Sequence, residues 1–146
     1  MSTLGNLLGW LGVIPFILGA VCSYEPIFGS VFPAQILIFY SAVVASFLGA
    51  VHWGMAIQGA QYPISAIQLI YSVIPSLLAW LIIAFLGSVN ALNGLGGVFI
   101  GAFLLDRWFA KRGVLPVWYI SLRVKLTIVV CICLFSAAQN YRAVGL

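Results

Sequence analysis

Apolar residues fill this chain in long blocks, separated by short stretches of polar, glycine and proline residues. Blocks over about 4–22, 33–57, 64–86 and 91–109 are each near the roughly 20 residues that a helix needs to cross a bilayer. Ser23-Tyr24-Glu25-Pro26, the segment 58–63 and Gly87-Ser88-Val89-Asn90 read as the turns between them. The last block has a length problem. Between Lys125 and Gln139 only about 13 apolar residues remain, too few to span. Its helix must therefore begin near Pro116 or Val117, proline being a favourable first helical residue, and run to about 138. This draws Arg123 and Lys125 into the inner margin of the membrane, where long side chains can snorkel. The pattern predicts an all-α bundle of five transmembrane helices in one domain, residues 1–146.

Composition agrees. Hydrophobic residues make up 64% of the chain, charged residues 5%, and mean hydropathy is +1.21. Soluble domains carry roughly 25% charged residues, so this chain cannot clothe itself for water, and it leaves no length for a separate soluble domain. The formal charge of +4 does not point to nucleic acid. The bases flank apolar segments, where they orient a membrane protein and meet anionic lipid.

Arg107, Lys111, Arg112, Arg123 and Lys125 gather at the connection between the fourth and fifth spans. By the positive-inside rule that side is cytoplasmic, with the N-terminus inside and the C-terminus outside. The first span carries no Lys or Arg before it and no small-x-small cleavage site, so it is expected to remain as a span rather than to be removed as a signal peptide.

The second span holds the one histidine. Ala42, Ser46, Ala50 and Gly54 form one row of small residues, and Ser41, Ala45 and Gly49 the next. At about 100° per residue the two rows merge into a face that includes His52. Small faces let helices approach closely, so this face is expected inside the bundle, with Tyr40, Val44, Phe47 and Val51 toward lipid. Gly97 and Gly101 form a GxxxG pair expected to pack in the same way, and Pro15 is expected to kink the first span.

With that orientation, His52 sits roughly 7 Å inside the cytoplasmic end of its span. Asp106 lies about one turn inside its own, and Arg123 one to two turns into the fifth. Three ionisable residues from three spans thus share one slice, with Trp53, Trp118 and Tyr119 near it. Ionisable groups at such depth are costly and usually pair. One reading is a ligand-binding polar site. The other is packing, with Asp106 and Arg123 pinning the fourth and fifth spans and His52 donating to a carbonyl. Interface tryptophans and tyrosines are expected in either case.

Other chemistry finds no support. One histidine cannot give both axial ligands of a b-type haem, and no His-Cys-carboxylate set has metal-ligand spacing. Cys131 and Cys133 point to nearly opposite faces of a helix, and with Cys22 they read as packing residues. Gly94-Leu95-Gly96-Gly97 lacks the Lys-Ser or Lys-Thr of a nucleotide loop, and no GxSxG motif occurs. No catalytic residue is assigned, and no cofactor can be named.

Gly12-Val13-Ile14-Pro15-Phe16, Phe47-Leu48-Gly49-Ala50-Val51-His52-Trp53-Gly54, Pro75-Ser76-Leu77-Leu78-Ala79-Trp80, Asp106 and the run from Leu115-Pro116-Val117-Trp118-Tyr119 to Arg123 occur in a characteristic order. Together they resemble a family of small five-span bacterial inner-membrane proteins defined by a domain of unknown function, with a mitochondrial transmembrane protein as a eukaryotic relative. The resemblance covers nearly the whole chain. It implies five spans and a bacterial inner-membrane setting, the mitochondrial inner membrane being the second choice, and it carries no activity.

The leading expectation is a non-enzymatic accessory or assembly subunit, packing against a larger membrane complex or self-associating through small-residue faces. The alternatives are a small transporter or channel using His52, Asp106 and Arg123, and a binder of quinone or lipid head groups.

Overall fold

The computed structural model describes residues 2–24, 31–58 and 64–143. These form five helices: α1 (Ser2–Tyr24), α2 (Val31–Ile57), α3 (Ile64–Phe85), α4 (Ser88–Lys111) and α5 (Val117–Ala143). All five are long and apolar enough to cross a membrane. The expected turns at 25–30 and 59–63, Glu25 among them, lie outside the described residues.

α2 is the centre of the bundle. It touches each of the other four helices, while α4 and α5 form an antiparallel pair and α1 lies across α5 and α2. Each contact has a small residue on one side. Gly9 of α1 meets Leu122 and Leu126 of α5, and Gly19 meets Leu37 of α2. Gly96 of α4 receives the ring of Phe135. Without apolar solvent exclusion to drive association in lipid, such close approach and the dispersion it provides hold the helices together. The core is closed by Phe16, Leu37, Leu92, Leu95, Phe99 and Leu134, all nearly fully buried. Bulky residues such as Phe39, Val43, Phe47, Trp80 and Ile132 stay exposed on the outside, which suits acyl chains.

The expected face of α2 is half right. Ser41, Ala45, Gly49 and His52 are buried, but Ser46, Ala50 and Gly54 are exposed and Ala42 is half-buried. The two small rows do not act as one surface, because the partners of α2 lie to either side of the first row only. Tyr40, Val44 and Val51, expected toward lipid, are half-buried, and the Tyr40 hydroxyl donates to the Gly12 carbonyl of α1 at 2.8 Å. Phe47 does face outward. The Gly97 and Gly101 pair is likewise not used inside the chain, since a β-carbon on either would touch nothing within 4 Å.

The α4–α5 connection turns at Gly113, the one described residue with positive φ (74°). Arg112 and Gly113 donate their backbone N–H groups to Phe109 and Ala110, a glycine-closed helix end. Pro116 then precedes Val117, which starts α5 early enough to carry Arg123 into the bundle.

Candidate functional site

The inward row of α2 brings His52 to the level where α4 presents Asp106 and α5 presents Arg123. His52 Nε2 lies 2.8 Å from Asp106 Oδ1, and Arg123 Nε donates to Asp106 Oδ2 at 2.7 Å. Both carboxylate oxygens are thereby engaged. All three residues are buried, at 0%, 2% and 5% exposure respectively. One aspartate ties three helices.

Aromatic rings seal the cluster. Tyr71 of α3 meets the imidazole edge-on, ring centroids 4.7 Å apart, and Phe109 lies on its other side at 4.8 Å. The Tyr71 hydroxyl donates to the Ala102 carbonyl of α4 at 3.4 Å. Tyr119 and Leu115 complete this smaller apolar cluster around Tyr71 and Phe109.

Charge bookkeeping constrains the protonation. Asp106 and Arg123 neutralise one another, so an imidazole donating from Nε2 with a bare Nδ1 leaves the cluster without net charge. That is the arrangement a low-dielectric interior favours. It also leaves Nδ1 as an acceptor, and Nδ1 is buried without a partner. Arg123 Nη2 and Thr127 Oγ1 on α5, and both amide atoms of Gln68 on α3, are buried and unpartnered too.

The remaining residues expected at the site are placed differently. Trp53 is 47% exposed and turns away from the cluster. Trp118 is 41% exposed and lays its ring on Gly5 of α1. Both sit on the outside of the bundle, where an amphipathic ring at the membrane boundary needs no bound partner. Tyr119 lies beside the cluster, half-buried. His52 donates to a carboxylate, not to the carbonyl that the packing account expected.

Sequence reasoning missed Gln68, Tyr71 and Phe109. A signal for the first two was present: Gln68, Ser72, Pro75 and Ala79 repeat at helical spacing and are all buried, marking the inward face of α3. Among the described residues no group of three His, Cys, Asp or Glu side chains is placed to hold a metal ion.

Comparison with known proteins was decisive at the level of family. A family model described as a protein of unknown function (DUF3429) matches residues 1–139. The chain belongs to this family. It is also 31% identical, over 140 residues, to "Transmembrane protein 69" of Xenopus tropicalis. That alignment takes in 91% of this chain but 53% of the relative, so the chain spans about half the length of the curated relative it matches. No solved structure matches it.

Proposed function

We propose that this DUF3429 protein is a non-catalytic accessory subunit of a bacterial inner membrane, in which the His52–Asp106–Arg123 cluster is an internal clamp. The observation that carries this reading is the sealing of the cluster. Its three side chains are almost wholly buried and both oxygens of Asp106 are committed. A catalytic group must reach substrate, and a transport site must alternate between openings; groups tied together behind Tyr71 and Phe109 do neither.

The surface offered to a partner is the crevice between α3 and α4. Its floor is Gly94, Gly97 and Gly101, its walls Ile74, Leu78 and Leu105, and its volume about 290 Å³. A helix with small residues exposed along one edge is suited to close approach by another helix. Gly97→Leu and Gly101→Leu test the reading, because neither glycine packs inside the chain. Both variants should keep their stability in detergent while the native assembly, sized after mild extraction, becomes smaller. An unchanged assembly, or a wild-type protein that runs as a monomer, counts against it.

A second reading, binding of a polar ligand at the cluster, draws on the unpartnered His52 Nδ1, Arg123 Nη2 and Gln68 amide. In either case the charge distribution favours a cytoplasmic N-terminus and an external C-terminus.

A further inference from the structure

On the side of α4 away from that crevice, a second groove runs between α4 and α5. Ile100 and Phe103 form one wall and Thr127, Ile128, Ile132 and Phe135 the other, around about 470 Å³. From Thr127 to Phe135 it extends roughly 12 Å at 1.5 Å per residue. The lining is apolar and bulky, which suits a flexible hydrocarbon chain. It does not suit a helix, whose diameter of roughly 10–12 Å needs small residues opposite it.

The groove has different ends. Toward Phe135 it is apolar throughout. Toward Thr127 it is bordered by two cations, Arg107 on α4 and Lys125 on α5, both exposed. Arg107 follows Phe103 by four residues and Ile100 by seven, and Lys125 precedes Ile128 by three and Ile132 by seven, so each base shares an edge with the groove wall. The Asp106–Arg123 bond and the contact of Cys131 with Gly96 set the register of the two helices. Lys125 is therefore about level with Leu104, and Arg107 lies one turn beyond. The Arg107 guanidinium stands over the Phe103 ring, 5.9 Å from its centroid, and that ring also walls the groove.

Neither base has an acidic partner. Among the described residues Asp106 is the one acid, and its oxygens hold His52 and Arg123. The same end contains the Thr127 hydroxyl, buried in a residue that is 6% exposed and without a hydrogen-bond partner. Two free cations, a free hydroxyl and a hydrocarbon-sized slot call for an amphiphile with an anionic head, an acceptor near it and a long tail.

We propose that the α4–α5 groove binds one anionic phospholipid, its acyl chain along the slot, its phosphodiester between Arg107 and Lys125, and an ester carbonyl facing Thr127. The head group thus lies outside the Asp106–Arg123 pair, and binding leaves that clamp intact.

The test is native mass spectrometry of the detergent-purified protein titrated with phosphatidylglycerol or phosphatidylcholine, backed by thermal unfolding with each lipid at equal mole fraction. Wild type should retain one phosphatidylglycerol in preference to phosphatidylcholine and melt higher with it. Arg107→Gln combined with Lys125→Gln should keep the lipid-free melting temperature and reduce the preference by roughly tenfold, the order of effect of two bases beside an anionic head group. Ile128→Trp, which fills the slot and keeps both bases, should lose the retained lipid. Equal retention of the two lipids by wild type overturns the proposal, as does an unaltered preference in the double variant. If inorganic phosphate reproduces the rise in melting temperature, the site is one for a free anion and the lipid assignment fails.

Discussion

Gly49 of α2 lies so close to the backbone carbonyl of Ser72 on α3 that no β-carbon fits between them. Pro75, one turn further along α3, packs at the same place, so the two helices meet backbone to backbone. Gly49→Ala must force them apart. A loss of about 1–3 kcal/mol, the usual range for an overfilled core, is expected in detergent unfolding titrations. Gly54 is exposed with open space around it. Gly54→Ala should leave stability unchanged or raise it by up to about 1 kcal/mol, since alanine restricts the unfolded chain more than glycine. Similar losses at both sites would mean that α3 does not pack where the structure has it.

The clamp makes a sharper demand. Breaking a buried charge pair by removing one partner costs about 3–5 kcal/mol, whereas removing both leaves no uncompensated charge. Asp106→Asn and Arg123→Gln should each lower the melting temperature markedly, and the double variant should recover part of the loss. Additive losses would show that the two side chains act independently. His52→Gln should be milder than either, because the Asp106–Arg123 pair survives it.

The sequence made some of this legible and hid the rest for physical reasons. Five helices followed from segment length and from lipid's demand that backbone groups bond within a segment. The meeting of His52, Asp106 and Arg123 was approachable because a charge in the membrane has few places to go, and depth can be counted along a helix. Which row of α2 faces inward was not readable: Gly54 and Gly49 look alike in sequence, and only the position of α3 separates them. Trp53 and Trp118 misled for a related reason, because boundary tryptophans and site tryptophans occupy the same depth.

Orientation can be checked directly. Arg107, Lys111, Arg112 and Lys125 are exposed at one end of the bundle. Arg123 belongs to the same segment but is spent on Asp106. At the opposite end the described residues contribute Arg142. The four exposed bases still outweigh one, so the α4–α5 connection should be cytoplasmic. Alkaline phosphatase fused after Leu146 should be active and a fluorescent protein fused there dark. The reverse pattern would invert the bundle.

Gln68 supplies the test that separates the clamp from a binding site. It is completely buried, and neither its amide nitrogen nor its amide oxygen has a partner. Gly49 faces Ser72 across the α2–α3 pair, so Gln68, four residues before Ser72, lies at about the depth of His52. A buried amide left unsatisfied costs about 1–3 kcal/mol relative to an apolar group of similar shape. If the cluster is only a clamp, Gln68→Leu should therefore stabilise the protein, by about 1 kcal/mol or more, in unfolding titrations after exhaustive detergent exchange. A polar ligand or water held between Gln68 and His52 Nδ1 would reverse the sign. The substitution would then destabilise, and His52→Ala made on top of it would cost less than His52→Ala alone, because the two side chains would share what they hold. A stabilising Gln68→Leu with no such coupling to His52 confines the cluster to holding α2, α4 and α5 together.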